Sequence, residues 1–385
     1  MSGPLPRPMG NFISRHSIRK VLIIKLTSLG DVVHALPAAA ALKSSFPFLS
    51  LHWVVEDRCA PLLQGHPLLD SVVIYPRKEI QSLLRQRKWG QALNRFIRLR
   101  RSLRELKADL SLDLQGLAKS GLMALIAGAR HRLGCFGLKE FSFLVSKSIP
   151  EGRDLHAVDR NLMVSTFLGA ERTTPVFHIP IQEEAREWAE AFLRKNRVSE
   201  EAVLIGIQAG ASLPQKCWPV KKLTDFLAQV SQLPGLRVLL FGDEEDRQKL
   251  RPFMDRLPPE VINTIGDLNL RQLMALIQKC RLFLGADTGP LHLAVGLGLP
   301  VIGLYGADDP GKTGPYGTAH RILYKRLSCS PCFKTPVCQG RFDCMEAIEV
   351  DEVLQAVLKS TGFSRSASPT LQNRSLPEAV VQGLE

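Results

Sequence analysis

Short apolar runs recur along the chain and alternate with longer stretches whose apolar positions fall three and four residues apart. That is the pattern of β-strands separated by amphipathic helices. In the first half, runs at 21–25, 50–55, 71–74, 110–113 and 132–134 predict strands, and helical spacing occupies 32–45, 89–107 and 120–127. The pattern breaks near Phe177-His178-Ile179-Pro180, and a charged helix follows at 182–196. The alternation then restarts, with strands at 203–208, 237–241, 261–264, 282–284 and 301–304 and helices at 220–232, 243–256 and 270–279. Strands alternating with helices predict parallel, doubly wound sheets. Two rounds of that pattern predict two α/β domains, 18–178 and 179–359, with disordered extensions at 1–17 and 360–385.

Two of the strand-to-helix turns carry residues suited to chemistry. The apolar run 280–285 leads into Ala286-Asp287-Thr288-Gly289-Pro290-Leu291-His292 and then a small-residue helix. The run 21–25 leads into Leu26-Thr27-Ser28-Leu29-Gly30-Asp31-Val32-Val33-His34. The first N–H groups of a helix have no internal partner and sit at the positive end of its dipole, so such a turn can hold a diphosphate. An Asp at a helix start is also an ordinary cap, and each turn taken alone fits that use as well. No G-x-G-x-x-G follows an early strand, which disfavours a dinucleotide-dependent oxidoreductase.

Charge narrows the partners without choosing one. Fifty basic residues against 37 acidic ones give a formal charge of +13, which suits nucleotides, phosphorylated lipids or nucleic acid. With 4 Trp and 4 Tyr, and no strand on which aromatic and basic residues interleave, a single-strand stacking platform is not visible, so nucleic acid is the weaker reading. Arg15, Arg19 and Lys20 before an apolar stretch imitate a secretory signal. Lys25 and Asp31 interrupt that stretch, and cleavage after it would remove the first strand and its turn, so the segment reads as a β-strand. No apolar run reaches the ~20 residues needed to span a bilayer. The expectation is a cytoplasmic protein whose membrane contact is peripheral.

In order along the chain, Leu29-Gly30-Asp31-Val32-Val33-His34-Ala35-Leu36-Pro37, Trp53-Val54-Val55-Glu56, His156-Ala157-Val158-Asp159-Arg160, Lys216-Cys217-Trp218-Pro219, Asp287-Thr288-Gly289-Pro290-Leu291-His292 and Tyr305-Gly306-Ala307-Asp308-Asp309-Pro310 form a set. The set resembles glycosyltransferase family 9, the ADP-heptose:lipopolysaccharide heptosyltransferases, over about residues 18 to 358. Among the subtypes, the Trp-Val-Val-Glu, His-Ala-Val and Asp-Pro-Gly-Lys-Thr-Gly-Pro-Tyr-Gly segments resemble heptosyltransferase I. The resemblance implies the GT-B arrangement, two facing Rossmann-like domains with a cleft between them. It also implies inverting transfer of heptose from ADP-heptose to a Kdo-containing inner-core acceptor such as Kdo-lipid A. No carboxylate pair resembling the Asp-x-Asp of metal-dependent transferases sits at the proposed donor turn, so the expectation is transfer with no cofactor required.

The roles carried over follow the same motifs. Asp31 falls where the family has its catalytic base, and Lys216 where the family has a lysine that neutralises the leaving phosphates. A solvated surface lysine is the ordinary alternative for Lys216. Thr288, Gly289 and the helix they open would hold the diphosphate, Asp287 would organise the turn, and Ser212 would add a hydroxyl. His292 fits either a core histidine or a phosphate ligand. An acidic residue after the second strand of the second domain holds the ribose in the family, and Glu244 and Glu245 are both candidates. Arg77, Lys78, Lys119 and Lys139 are the candidates for an anionic acceptor, on a basic first domain that would also attract the anionic inner leaflet. Most of the arginines at 95–104 read equally well as a solvated helix face.

Eight cysteines without a secretory signal argue against a disulfide framework. Four of them, Cys329, Cys332, Cys338 and Cys344, have a spacing that permits a structural zinc or iron-sulfur site, and reduced thiols are the alternative. Two other functions stay open on sequence alone. One is a different nucleotide-sugar enzyme on this scaffold, such as an epimerase or a transferase of another sugar. The other is a non-catalytic nucleotide-binding protein.

Overall fold

In the first domain, β1 (Lys20–Ile24), β2 (Ser50–Glu56), β3 (Ser71–Tyr75), β4 (Leu110–Asp113), β5 (His131–Gly134) and β6 (Lys147–Ser148) make one parallel sheet in the order β3-β2-β1-β4-β5-β6. The computed structural model describes residues 12–135, 139–140, 142–149, 152, 154–333 and 335–363. The helices of this half are α1 (Phe12–Arg15), α2 (Leu29–Ser45), α3 (Arg77–Arg85), α4 (Trp89–Glu105), α5 (Ala118–Ala127) and α6 (Ala157–Phe167). The unbroken apolar run in β1 has a direct cause. Val21 and Ile23 pack into a core with α2, while Leu22 and Ile24 pack into another beneath α4 and α5. A parallel strand buried on both faces must be apolar throughout.

The second domain repeats the plan. Its strands β7 (Val203–Gln208), β8 (Leu236–Phe241), β9 (Val261–Asn263), β10 (Leu282–Ala286), β11 (Val301–Tyr305) and β12 (Arg321–Tyr324) lie in the order β12-β11-β10-β7-β8-β9, again all parallel. Around them stand α7 (Glu183–Lys195), α8 (Val220–Val230), α9 (Glu244–Met254), α10 (Leu270–Lys279), α11 (Gly289–Gly296), α12 (Pro310–Thr313), α13 (Asp343–Glu346) and α14 (Val350–Thr361). In both sheets the winding reverses beside the first strand, between β1 and β4 and between β7 and β10. Ligands of doubly wound sheets bind beyond the carboxyl ends of the strands at that reversal. The turns after β1 and β10 are the two singled out by the sequence.

The two α/β sheets confirm the expected fold, and the departures are local. α2 begins at Leu29, three residues earlier than expected, because Ser28 and Asp31 close a capping box around its first turn. The edge strands β6 and β12 are two and four residues long and carry exposed positions, so they leave little apolar signal. α3 was missed because it buries no residue. Within the stretch expected as an N-terminal extension, α1 buries Ile13 completely. α14 runs to Thr361, two residues into the stretch expected as a disordered tail, and of the two expected extensions 1–11 and 364–385 lie outside the described residues. Among the described residues no helix is long and apolar enough to cross a membrane.

Candidate active site

The first wall of the site is the turn between β1 and α2. Lys25, just past β1, is nearly buried; its ammonium donates to the Leu114 carbonyl at 2.8 Å and stands 3.8 Å from Asp31 Oδ1. Asp31 Oδ2 accepts from the Ser28 N–H at 2.9 Å and the Ser28 hydroxyl at 3.0 Å. Asp31 is therefore a cap and an ion-pair partner together, yet 42% of its side-chain surface remains exposed. Burial pushes its carboxyl up, but Lys25 and the two Ser28 donors more than offset this and hold it below the usual aspartate value. Glu56, at the end of β2, is almost fully buried and is met by Lys119 Nζ at 2.8 Å, Arg77 Nη1 at 3.3 Å and Arg58 Nε at 3.7 Å. Lys119 also donates to Thr27 Oγ1 at 3.2 Å. Three cations on one carboxylate leave a net positive surface beside Asp31.

The facing wall is the turn between β10 and α11. Asp287 is its hub: Oδ2 accepts from Lys216 Nζ at 3.0 Å, while Oδ1 accepts from His292 Nε2 at 2.8 Å and the Tyr305 hydroxyl at 3.1 Å. Lys216 makes a second ion pair, 2.5 Å from Asp308 Oδ2, and only 16% of its side chain is exposed, so it is no solvated surface lysine. Burial opposes every charge in this group, with opposite net results. The His292 and Lys216 contacts hold the Asp287 carboxyl far below its usual value, whereas Asp308, buried and facing the charge of Asp287, is raised. Lys216 itself is raised by its two carboxylates and stays an ammonium. Thr288 occupies the N-cap position of α11 without making a side-chain cap bond, and its hydroxyl is buried with no hydrogen-bond partner among the described residues.

The two helix starts touch. A Cβ on Gly30 would lie 2.6 Å from His292 Cδ2, and one on Gly289 would lie 2.9 Å from Leu29 Cβ. The missing side chain of Gly30 is what admits the His292 ring. With His292 donating from Nε2 to Asp287, its Nδ1 accepts from His34 Nε2 at 3.1 Å, so a buried polar chain runs from α2 across to the hub of the second wall. Burial, then His292 and His156, push His34 well below the usual imidazole value and keep it neutral. Gly30→Ala is expected to cost about 1–3 kcal/mol of stability, since a ring held at both nitrogens cannot step aside. A neutral result in chemical denaturation would show that it can.

These distances put a half-exposed carboxylate on one wall and a caged ammonium with an unpartnered hydroxyl on the other, at the reversal points of two doubly wound sheets. A model of glycosyltransferase family 9 (heptosyltransferase) matches residues 96–341. The chain belongs to that family. It is similar to the lipopolysaccharide core heptosyltransferase OpsX of Haemophilus influenzae, 25% identical over 317 residues that cover 79% of this chain and 84% of the relative. Its fold is similar to that of the family 9 glycosyltransferase of Veillonella parvula, with a TM-score of 0.77, 21% identity and coverage of 90% of this chain and 98% of the other. The fold is also similar to that of Escherichia coli heptosyltransferase WaaC with ADP-2-deoxy-2-fluoro heptose, with a TM-score of 0.67, 20% identity and coverage of 88% and 99%. This family member is thus a heptosyltransferase enzyme on the GT-B arrangement.

The remaining candidates scatter. Ser212 is exposed in the loop after β7. Glu244 and Glu245 turn to solvent and pair along their own helix with Arg247 at 3.5 Å and Lys249 at 2.6 Å. The carboxylate aimed inward is Asp246, whose Oδ2 accepts from Asp243 N–H at 3.0 Å and Gln208 Nε2 at 3.4 Å, and whose Oδ1 occupies the space a Gly210 side chain would need. Of the acceptor candidates, Arg77 and Lys119 meet at Glu56, whereas Lys78 and Lys139 are exposed elsewhere. Sequence reasoning missed Lys25, His34, Asp246 and Asp308 and gave Glu56 no role, although His34, Glu56 and Asp308 sit in the motifs that carry the resemblance.

Among the described residues no group of three or more Cys, His, Asp or Glu is placed to hold a metal ion, the four-cysteine loop included. Cys344 is buried in the core of the second domain against Gly306, while Cys329, Cys332 and Cys338 stay partly exposed. The loop does something visible instead. Phe333 N–H donates to the Ala307 carbonyl at 2.7 Å, Gln215 Nε2 donates to the Phe333 carbonyl at 3.0 Å, and the Ser330 hydroxyl donates to the Gly306 carbonyl. It braces the residues flanking Lys216 and Asp308 from behind.

Proposed function

We propose that the protein transfers heptose from ADP-heptose to a Kdo-bearing inner-core acceptor of lipopolysaccharide, with inversion at the anomeric carbon. The carrying observation is the meeting of the two turns, which sets Asp31 opposite Lys216 and the start of α11. The diphosphate lies at that helix start, where backbone N–H groups, the Thr288 hydroxyl and Lys216 stabilise the charge that grows as the sugar departs. To reach the phosphates, Lys216 leaves Asp308, whose raised carboxyl takes up a proton more readily than an ordinary aspartate. Asp31 accepts the proton of the attacking hydroxyl on the opposite face of the sugar, which is the geometry of inversion. The cluster of Lys119, Arg77 and Arg58 around Glu56 carries its excess positive charge to an acceptor carboxylate or phosphate. Asp246, rather than Glu244 or Glu245, is the carboxylate nearest the donor loop and takes the ribose.

Transfer itself needs no metal in this scheme, because the charge stabilisers are all side chains and backbone. The cysteine loop supports the donor turns through hydrogen bonds, and elemental analysis with thiol titration separates that role from a structural metal clamp. The reaction is tested by offering ADP-heptose, UDP-glucose and GDP-mannose with Kdo-lipid A and weighing the products. A heptose adduct from ADP-heptose alone is expected. Transfer from another donor would assign a different sugar, and no transfer from any of them would remove the proposed reaction. The activity belongs on the cytoplasmic side of the inner membrane, where this acceptor is built.

A further inference from the structure

The first domain carries an exposed apolar stripe that neither the fold nor the transfer site uses. On α4, Trp89, Leu93 and Ile97 are 65%, 59% and 50% exposed. They stand four residues apart and so form one line along three turns, beside the buried face made by Ala92, Leu99 and Leu103. That line leans toward α5, because Arg104, two turns on from Ile97, donates from Nε to the Ile126 carbonyl at 3.1 Å. On α5, Leu122 and Leu125 are exposed on the same side of the sheet, and so is Leu144 in the short turn 142–144 that follows β5 and packs on α5. Isolated exposed leucines need no explanation, but an exposed tryptophan heading a run of aliphatic side chains does.

The charge around the stripe is one-sided. Between Arg77 and Lys107 there are eleven Lys and Arg against two Glu. Each of those glutamates takes one arginine, Glu79 with Arg95 at 2.7 Å and Glu105 with Arg101 at 2.8 Å, and the rest of the positive charge is uncompensated within the segment. Orientation follows from topology. β4 is parallel to β1 and only four residues separate it from the end of α4, so α4 descends toward the amino edge of the sheet and its start lies at the carboxyl edge. Trp89, with Arg85, Arg87 and Lys88 just before it, is therefore at the end of the domain where Asp31 opens to solvent and the cations around the buried Glu56 gather.

We infer that the α3–α4 face docks on an anionic lipid bilayer, with Trp89, Leu93 and Ile97 entering the headgroup boundary and the flanking arginines and lysines meeting lipid phosphates. A helix lying in the interface needs this combination: an apolar line headed by an aromatic residue, and basic side chains long enough to snorkel. A second copy of the chain is the poorer occupant, because a two-fold contact would bring this basic segment against itself. An anionic surface neutralises it instead. Docked this way, the mouth of the cleft faces the membrane, and an acceptor anchored there reaches Asp31 without leaving the bilayer.

The test needs neither donor nor acceptor, so it stands or falls apart from the transfer reaction. The full chain is mixed with vesicles of phosphatidylcholine alone or with one third phosphatidylglycerol, and binding is read by flotation and tryptophan emission. Trp53 and Trp218 are buried and Trp188 is stacked on Phe192, so Trp89 is the exposed reporter among the four. Emission should shift to the blue and be quenched by brominated acyl chains with the anionic vesicles, and both signals should vanish in Trp89→Ala. A Leu93→Ser, Ile97→Ser double variant, with an unchanged thermal melt, should bind at least about tenfold more weakly. Arg87→Gln and Lys88→Gln should each weaken binding roughly fivefold at low salt. Equal affinity for neutral and anionic vesicles, or binding that leaves Trp89 emission unmoved, overturns the inference. So does a wild-type dimer in sedimentation that the double variant dissociates while vesicle binding is absent, because the face then belongs to a second copy.

Discussion

Asp31→Asn is expected to lower kcat roughly 10²–10⁴-fold while ADP affinity stays as it was, the loss that fits removal of a general base. The amide oxygen can still accept from the Ser28 N–H, the bond that Asp31 Oδ2 now takes at 2.9 Å, so α2 keeps its cap. Lys25 keeps the Leu114 carbonyl but loses its ion partner, which predicts a modest drop in melting temperature alongside the kinetic loss. The pH profile supplies a second readout. A carboxyl held below its usual value is ionised at neutral pH, so an acid limb of kcat/KM due to Asp31 lies below the ordinary aspartate range of about 3.9. By the same sign, the stability this group contributes is present above the unfolded value and is lost as pH falls through the folded one. Activity near that of the wild type would leave Asp31 as a cap alone.

What the sequence revealed and what it hid follow one physical line. Strands buried on both faces write themselves as apolar runs, so β1, β4, β7 and β10 were found to within two residues, and the reversal points came with them. Capping chemistry is local, so the Asp31 and Asp287 turns were also visible. Contacts made across the cleft were not. His34 lies in the same quoted motif as Asp31, but only the packing of α2 on α11 shows that it reaches His292. Gly30 and Gly289 read as turn residues, whereas their use is to let two helix starts touch. After β8, periodicity cannot tell which of three adjacent carboxylates faces Gly210: Glu244 and Glu245, the candidates read from the sequence, face solvent, and Asp246 faces inward.

Lys216→Ala tests the second wall, and its effect is expected to be the largest on stability and transfer together. The side chain is shared between Asp287 and Asp308, all three mostly buried, so its loss strands two carboxylates. Breaking such a pair costs about 3–5 kcal/mol when the remaining charge stays unpaired. Asp287 retains His292 and Tyr305, and Asp308 can protonate, so the lower end of that range is expected in denaturation. If Lys216 also meets the leaving diphosphate, kcat should fall by roughly 10²–10³ in the folded fraction, and ADP should bind more weakly. Asp308→Asn separates the two roles. It removes the competitor for the ammonium while sparing Asp287, so ADP affinity should rise if Lys216 must leave Asp308 to reach the phosphates. Unchanged ADP affinity in both variants would confine Lys216 to holding the turns together, and the helix start of α11 would have to carry the diphosphate charge without it.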